Sequence, residues 1–170
     1  MIKEIADIDI SGLLECYHRL EPEIRWTEYG TRSKQAGIQY RKDGDPFSDA
    51  VGSAIAEDVT RSPWSGGNFI NPLFKDTVFE EIIREYDMRR TRLMWVMPFT
   101  CYSIHKDVGP RFHIPLITNP DCYFVFKESG LTHLSAGKIY WTDTRKLHTF
   151  INCSKEPRLH IVGSTPIIYV

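Results

Sequence analysis

"RFHIPLITNPDCYFVFK", residues 111–127, joins two short apolar, β-prone runs through the turn-forming triplet Asn119-Pro120-Asp121. The same rhythm extends both ways. "TRLMWVMPFTCYSI" precedes it from Thr91, and "THLSAG", "KIYWTD", "HTFINC" and "RLHIVGST" follow, separated by Gly, Asn, Asp, Ser or Pro. About seven short strands in so little chain predict a sandwich, jelly roll or barrel. Pro115 has no N–H to give a sheet, so its strand is expected at an edge or with a bulge.

Residues 1–90 read differently. "DISGLLECYHRL" spaces Leu13, Leu14, Tyr17 and Leu20 as a helix, with Asp9 or Ser11 as its cap. "KDTVFEEIIREYDMRR" places Val78, Phe79, Ile82, Ile83 and Tyr86 on one stripe, with Asp76 or Thr77 at its start. "AGIQYRK" reads as a short strand. "KDGDPFSDAVGS" and "SPWSGGNF" are turn-rich loops, expected as a lid over a site. The expected organisation is one domain over 1–170: a helical and loop region (1–90) packed on a β core (91–170).

The composition of the 170-residue chain is that of a soluble globular protein, and a net charge of −1 gives no whole-surface field for nucleic acid or anionic lipid. The basic cluster "REYDMRRTR" (84–92) reads as a solvated helix end. Cys16, Cys101, Cys122 and Cys153 follow no metal-binding spacing, and Cys101 and Cys122, among strand residues, read as buried thiols. Acidic residues break the apolar run at the N-terminus, and no stretch reaches the roughly 18 residues of a membrane span. The expectation is a reduced, cytoplasmic protein.

Within "SIHKDVGPRFHIPL" (103–116) the chain carries His105, Asp107 and His113. On a strand, residues two apart face the same way, so His105 and Asp107 aim an imidazole and a carboxylate at one point. A third ligand would complete a two-His-one-carboxylate set with positions open for a cosubstrate and dioxygen. His113, His133, His148 and His160 are the candidates. His148 is the best placed, because it opens a late strand that can lie across from an early one. Arg158, ten residues later, offers an inward-facing guanidinium for a distant carboxylate. His160 shares its face. His18 and His133 read as structural or exposed.

These residues resemble the aspartyl/asparaginyl β-hydroxylase family, which includes bacterial free-proline hydroxylases among the iron(II)- and 2-oxoglutarate-dependent oxygenases. The resemblance runs from about Met94 to Ser164, through "IHKD", "PRFHIPLITNPDC", "GKIYWTDTRKLHTFIN" and "KEPRLHIV". It implies a mainly β, cupin-like double-stranded β-helix (jelly roll) with flanking N-terminal helices. It implies Fe(II) held by His105, Asp107 and His148, with 2-oxoglutarate and O2 as cosubstrates. It implies that Arg158 binds the distal carboxylate of 2-oxoglutarate, with Arg111 and His113 near the cosubstrate. The animal β-hydroxylase has Gly where this chain has Asp107, so the resemblance to the bacterial members is the more informative one.

The expected function is hydroxylation of an unactivated C–H bond of an amino acid or a peptide or protein side chain, releasing succinate and CO2. Trp64, Trp95, Tyr102 and Trp141 are candidates for the substrate pocket, and Arg90, Arg92 or Lys106 for a substrate carboxylate. The alternatives are another cupin-like metalloenzyme, which has no need of Arg158, and a non-catalytic β-sandwich that binds a small ligand.

Overall fold

The computed structural model describes residues 1–52 and 68–169. The strands are β1 (Ile2–Asp7), β2 (Thr27–Tyr29), β3 (Ser33–Gly37), β4 (Gln39–Tyr40), β5 (Phe69–Ile70), β6 (Arg89–Val96), β7 (Thr100–Cys101), β8 (Arg111–Ile117), β9 (Cys122–Phe126), β10 (Gly130–Thr132), β11 (Lys138–Thr142), β12 (His148–Asn152) and β13 (Arg158–Ser164). The helices are α1 (Ile10–Leu20) and α2 (Val78–Glu85). All pairings are antiparallel. A large sheet runs β1-β11-β8-β13-β6-β3-β2, a smaller one runs β10-β9-β12-β7, and β4-β5 form a separate pair. This is a β-dominated, jelly-roll-like fold of the cupin and double-stranded β-helix type, with N-terminal helices.

Strand alternation gives the large sheet two apolar faces. Phe112, Ile114 and Leu116 of β8, Ile139 and Trp141 of β11, Leu93 of β6, and Leu159 and Ile161 of β13 join one core with Leu13, Tyr17 and Leu20 of α1 and Phe79, Ile82 and Ile83 of α2. The intervening residues Met94, Val96, Tyr140 and Val162 join a second core with Phe124, Phe126 and Phe150 of the smaller sheet. Each fully buried Leu, Ile or Phe contributes roughly 1.5–3 kcal/mol relative to exposure, so the first core clamps the helices to the sheet. Asp9 caps α1, accepting from the N–H groups of Ser11 (3.0 Å) and Gly12 (3.2 Å). At α2, Glu80 accepts from the Asp76 N–H at 2.7 Å and ties the entry of the helix.

Several expectations change. The N-terminal region adds strands as well as helices: β1 pairs with β11, and β2–β3 extend the sheet beyond β6. The expected first core strand is two strands, β6 and β7, parted at Met97–Phe99, where Phe99 takes φ +52°. "THLSAG" contributes only Thr132 to β10. Pro115 lies inside the large sheet, and the bulge alternative holds. Leu159 pairs with Ile117 and His160 with Pro115, so Leu116 is the extra residue. The described pairing of β8 with β11 ends at His113 opposite Tyr140, so the missing N–H of Pro115 breaks no ladder on that side.

"REYDMRRTR" is not a solvated helix end. Helix α2 stops at Glu85, and Arg90 and Arg92 are buried on β6. Cys122 is buried as expected, whereas Cys101 is exposed. Among the described residues, no helix is long and apolar enough to cross a membrane.

Candidate metal centre

The smaller sheet and the segment after β7 build the site. His105 is not on a continuous strand. It meets His148 of β12 in an isolated bridge, each N–H donating to the other's carbonyl at 2.9 Å. Two residues on, the Asp107 N–H donates to the Thr144 carbonyl at 2.8 Å. The short extended stretch therefore keeps the two-residue alternation, and His105 and Asp107 face the same point.

Asp107 Oδ1 lies 3.8 Å from His105 Nε2, and Asp107 Oδ2 lies 3.4 Å from His148 Nε2. The three potential ligand atoms all lie within 4.8 Å of one another. The second hydrogen bonds fix the rings. His105 Nδ1 donates to the Ser103 carbonyl at 2.8 Å and His148 Nδ1 to the Lys146 carbonyl at 2.9 Å. A carbonyl can only accept, so Nδ1 carries the proton and both Nε2 lone pairs point inward.

Asp107 is held from the other side. Arg111 Nη2 donates to its Oδ1 at 2.6 Å, while buried Oδ2 has no hydrogen-bond partner among the described residues. Burial pushes the Asp107 carboxyl up, yet the group is held at about 2, and among its neighbours Arg111 is the one whose positive charge is fixed at neutral pH. It is thus ionised at neutral pH, with an orphaned oxygen between two imidazole lone pairs. That donor set fits a divalent cation of the nitrogen- and oxygen-binding class.

The centre opens on a cavity of about 840 Å³, a size suited to a small-molecule site. His113 and Arg111 reach its wall from β8, and Phe124 and Phe150 from the smaller sheet. Tyr102 also lines the cavity, its hydroxyl against that of Ser33. His113 is 4% exposed, and among the described residues neither of its ring nitrogens has a hydrogen-bond partner. Burial first, then Arg158 and Arg111, drives its pKa well below the ordinary value, so the ring is neutral.

Arg158 is buried but off the cavity wall. Its guanidinium lies 4.8 Å from the Phe150 ring centroid, and its Nη1 is 3.2 Å from the His160 ring nitrogens. Its Nε is buried without an acceptor among the described residues, and burial lowers its pKa to about 10. His160 is buried against it and also held neutral by burial.

Trp95 and Trp141 belong elsewhere. Both alternate onto the helix-covered face, where Trp95 Nε1 donates to the Tyr17 hydroxyl at 3.3 Å and Trp141 Nε1 to the Ile167 carbonyl at 3.0 Å. Their placement corrects the pocket expectation, because strand parity turns them from the cavity. His133 Nδ1 donates to the Cys122 carbonyl at 2.9 Å, and His18 is exposed. Trp64 and most of "SPWSGGNF" lie outside the described residues. Sequence reasoning missed the wall formed by Tyr29–Arg32 and Gln35, which are far away in sequence and carry no motif.

No family model matches the chain, and none of the curated proteins does. Solved structures do. An oxidoreductase of the 2OG-Fe(II) oxygenase family from Burkholderia pseudomallei aligns over 96% of this chain and 84% of its own, with TM-score 0.60 and 13% identity. AviO1 from Streptomyces viridochromogenes aligns over 99% and 91%, with TM-score 0.46 and 13% identity. A chain from Rhodobacter sphaeroides SigE in complex with the anti-sigma ChrR aligns over 89% of this chain, with TM-score 0.46 and 14% identity, and this chain spans about half of it (55%). The first likeness places the chain in the fold class of such oxygenases.

Proposed function

We propose that the chain is an Fe(II)- and 2-oxoglutarate-dependent oxygenase that hydroxylates an unactivated C–H bond of an amino acid or of a peptide or protein side chain. Within that class, "IHKD", the Arg111-x-His113 pair, His148 and Arg158 favour an aspartyl/asparaginyl β-hydroxylase-like enzyme, similar in character to the bacterial free-proline hydroxylases. The observation that carries the reading is the convergence of His105, Asp107 and His148, with both imidazole Nδ1 atoms tied back, on the wall of a cavity.

His105 and His148, neutral, and Asp107, ionised, would hold the iron. Bound iron with 2-oxoglutarate and dioxygen supplies the oxidising chemistry, which ends in succinate, CO2 and a hydroxylated product. The protein's own work is placement and exclusion of water. Arg111 locks the Asp107 carboxylate by a charge-assisted hydrogen bond. His113, with two unpartnered nitrogens, and Arg158, with no carboxylate of its own, are buried polar groups that an anionic cosubstrate would satisfy.

A second reading has one observation in its favour. Arg158 stacks on Phe150 instead of lining the cavity, as it would in a cupin-like metalloenzyme with no 2-oxoglutarate. Anaerobic loading with iron(II) and 2-oxoglutarate, followed by air, separates the two. Succinate from the parent protein and none from His105→Ala or Arg158→Ala is the expected result. Turnover that survives Arg158→Ala with unchanged dependence on 2-oxoglutarate would take Arg158 out of the cosubstrate site, whereas iron(II) binding by the parent protein with neither 2-oxoglutarate binding nor succinate would select the second reading.

A further inference from the structure

The cavity wall carries Arg32, Arg92, Lys106 and Arg111 but, among the described residues, only one carboxylate, Asp107. That carboxylate is already engaged by Arg111 and faces the two histidines. Arg32 and Lys106 are exposed, and solvent screens them. Arg92 differs. It is 2% exposed, and no carboxylate among the described residues lies within ion-pair distance of it. A guanidinium cannot shed its charge at neutral pH, so burial without a counter-ion is costly.

Two protein contacts hold Arg92 while leaving part of it unused. Its Nε donates to Gln35 Oε1 at 3.0 Å and its Nη1 to the Arg90 carbonyl at 3.4 Å. Its Nη2 has no protein acceptor among the described residues and is not sealed from the cavity. Gln35 Oε1 also accepts from the Gly52 N–H at 3.1 Å, so the amide that braces Arg92 is itself braced.

The backbone is shaped around this residue. A bulge interrupts the pairing of β6 with β13. Val162 pairs with Arg92 and Ser164 with Arg89, so Arg90 and Thr91 together face Gly163 alone. Arg90 takes φ +51° there, a conformation unfavourable for a side chain larger than glycine. A Cβ on Gly163 would lie 2.6 Å from Met88 Cε and 2.8 Å from Thr91 Oγ1, so a larger residue there would have to displace both side chains. Past the bulge, Arg92 shares a cross-strand row with Val162 and His113. Two strand spacings, about 10 Å, separate the backbones of Arg92 and His113.

We propose that Arg92 is the anchor for a carboxylate of the prime substrate, which is therefore a small free organic acid of amino-acid size, bound between β6 and the metal centre. This rests on the oxygenase reading of the same cavity. Arg158 and His113 serve the cosubstrate, and Arg92 stands apart from them along the sheet. A planar carboxylate matches the free guanidinium edge and supplies the missing counter-charge. The cavity of about 840 Å³ also exceeds what a five-carbon diacid alone needs. Preorganisation by Gln35 lowers the ordering cost of that contact.

The test uses the full chain loaded with manganese(II) and 2-oxoglutarate without oxygen, titrated calorimetrically with the proteinogenic L-amino acids and with their carboxamides. Expected are one or a few acids that bind while the matching amides bind at least tenfold more weakly. Arg92→Gln should weaken those acids about 10- to 100-fold, Arg92→Lys should recover part of the loss, and manganese(II) affinity should stay within a factor of two. Equal binding of acid and amide, no acid binding at millimolar concentration, or an Arg92→Gln effect on 2-oxoglutarate alone would each overturn the proposal. Should Arg92→Gln fail to fold, the acid–amide contrast in the parent protein and the Arg92→Lys titration decide it. Manganese(II) and 2-oxoglutarate affinities, measured before any acid is added, score the oxygenase reading separately.

Discussion

The two faces of β8 show how one strand serves two ends. Phe112, Ile114 and Leu116 point into the helix-covered core, where the contacts are apolar and fully buried. Arg111 and His113, which alternate with them, point at the cavity, where one bonds Asp107 and the other has no hydrogen-bond partner among the described residues. β13 repeats the division, with Leu159 and Ile161 against the helices and Arg158 and His160 on the inner side. Apolar burial holds the sheet in place, and that rigidity keeps unsatisfied polar groups in a position they would not otherwise occupy.

The comparison can be broken at its apolar side first. Phe112→Ala should cost about 3–5 kcal/mol of stability, read from urea unfolding, because a fully buried ring leaves a cavity. The folded fraction should still bind manganese(II) with little change. His148→Ala should do the opposite. Manganese(II) affinity should fall at least about 100-fold, beyond the roughly 10- to 100-fold typical of losing a supporting hydrogen bond. The urea midpoint should fall less than for Phe112→Ala, because the lost ring borders the cavity.

Acid separates the faces in one metal-free protein. His113 and His160 are held neutral by burial, whereas both protonate near pH 6.5 once unfolded. The unfolded chain then binds more protons, so stability falls as the pH drops through that value. With both residues contributing, the loss between pH 7.5 and 5.5 should be on the order of 1–3 kcal/mol. A His113→Asn, His160→Asn double variant should flatten this dependence, and a slope that survives it would place the proton uptake elsewhere. The smallest effect is expected at Trp95→Phe. It loses one hydrogen bond to Tyr17 and should cost about 1 kcal/mol, with no change in ligand binding. A loss of ligand affinity there would blur the division of the faces.

Much of the site was legible from spacing. His105 and Asp107, two apart in an extended stretch, needed only a local rule to converge, and His148 met them because its strand lies across from theirs. The helix stripes and the Asp9 cap were equally local. Trp95, Trp141 and Arg92 show the limit. Alternation states that Arg92 and Trp95 face opposite sides of β6, but only pairing with β3 and β13 makes one side a cavity and the other a helix interface.

By itself, then, the sequence determined the strand-rich class, the two helices and the pairing of His105 with Asp107, because each depends on residues near one another in the chain. Only the tertiary structure decided that β1–β3 complete the large sheet, that Arg158 stacks on Phe150, and that Arg92 is a buried cation facing the site. Those outcomes depend on strands distant in sequence. A residue's burial and charge environment come from the neighbours that sheet register brings to it.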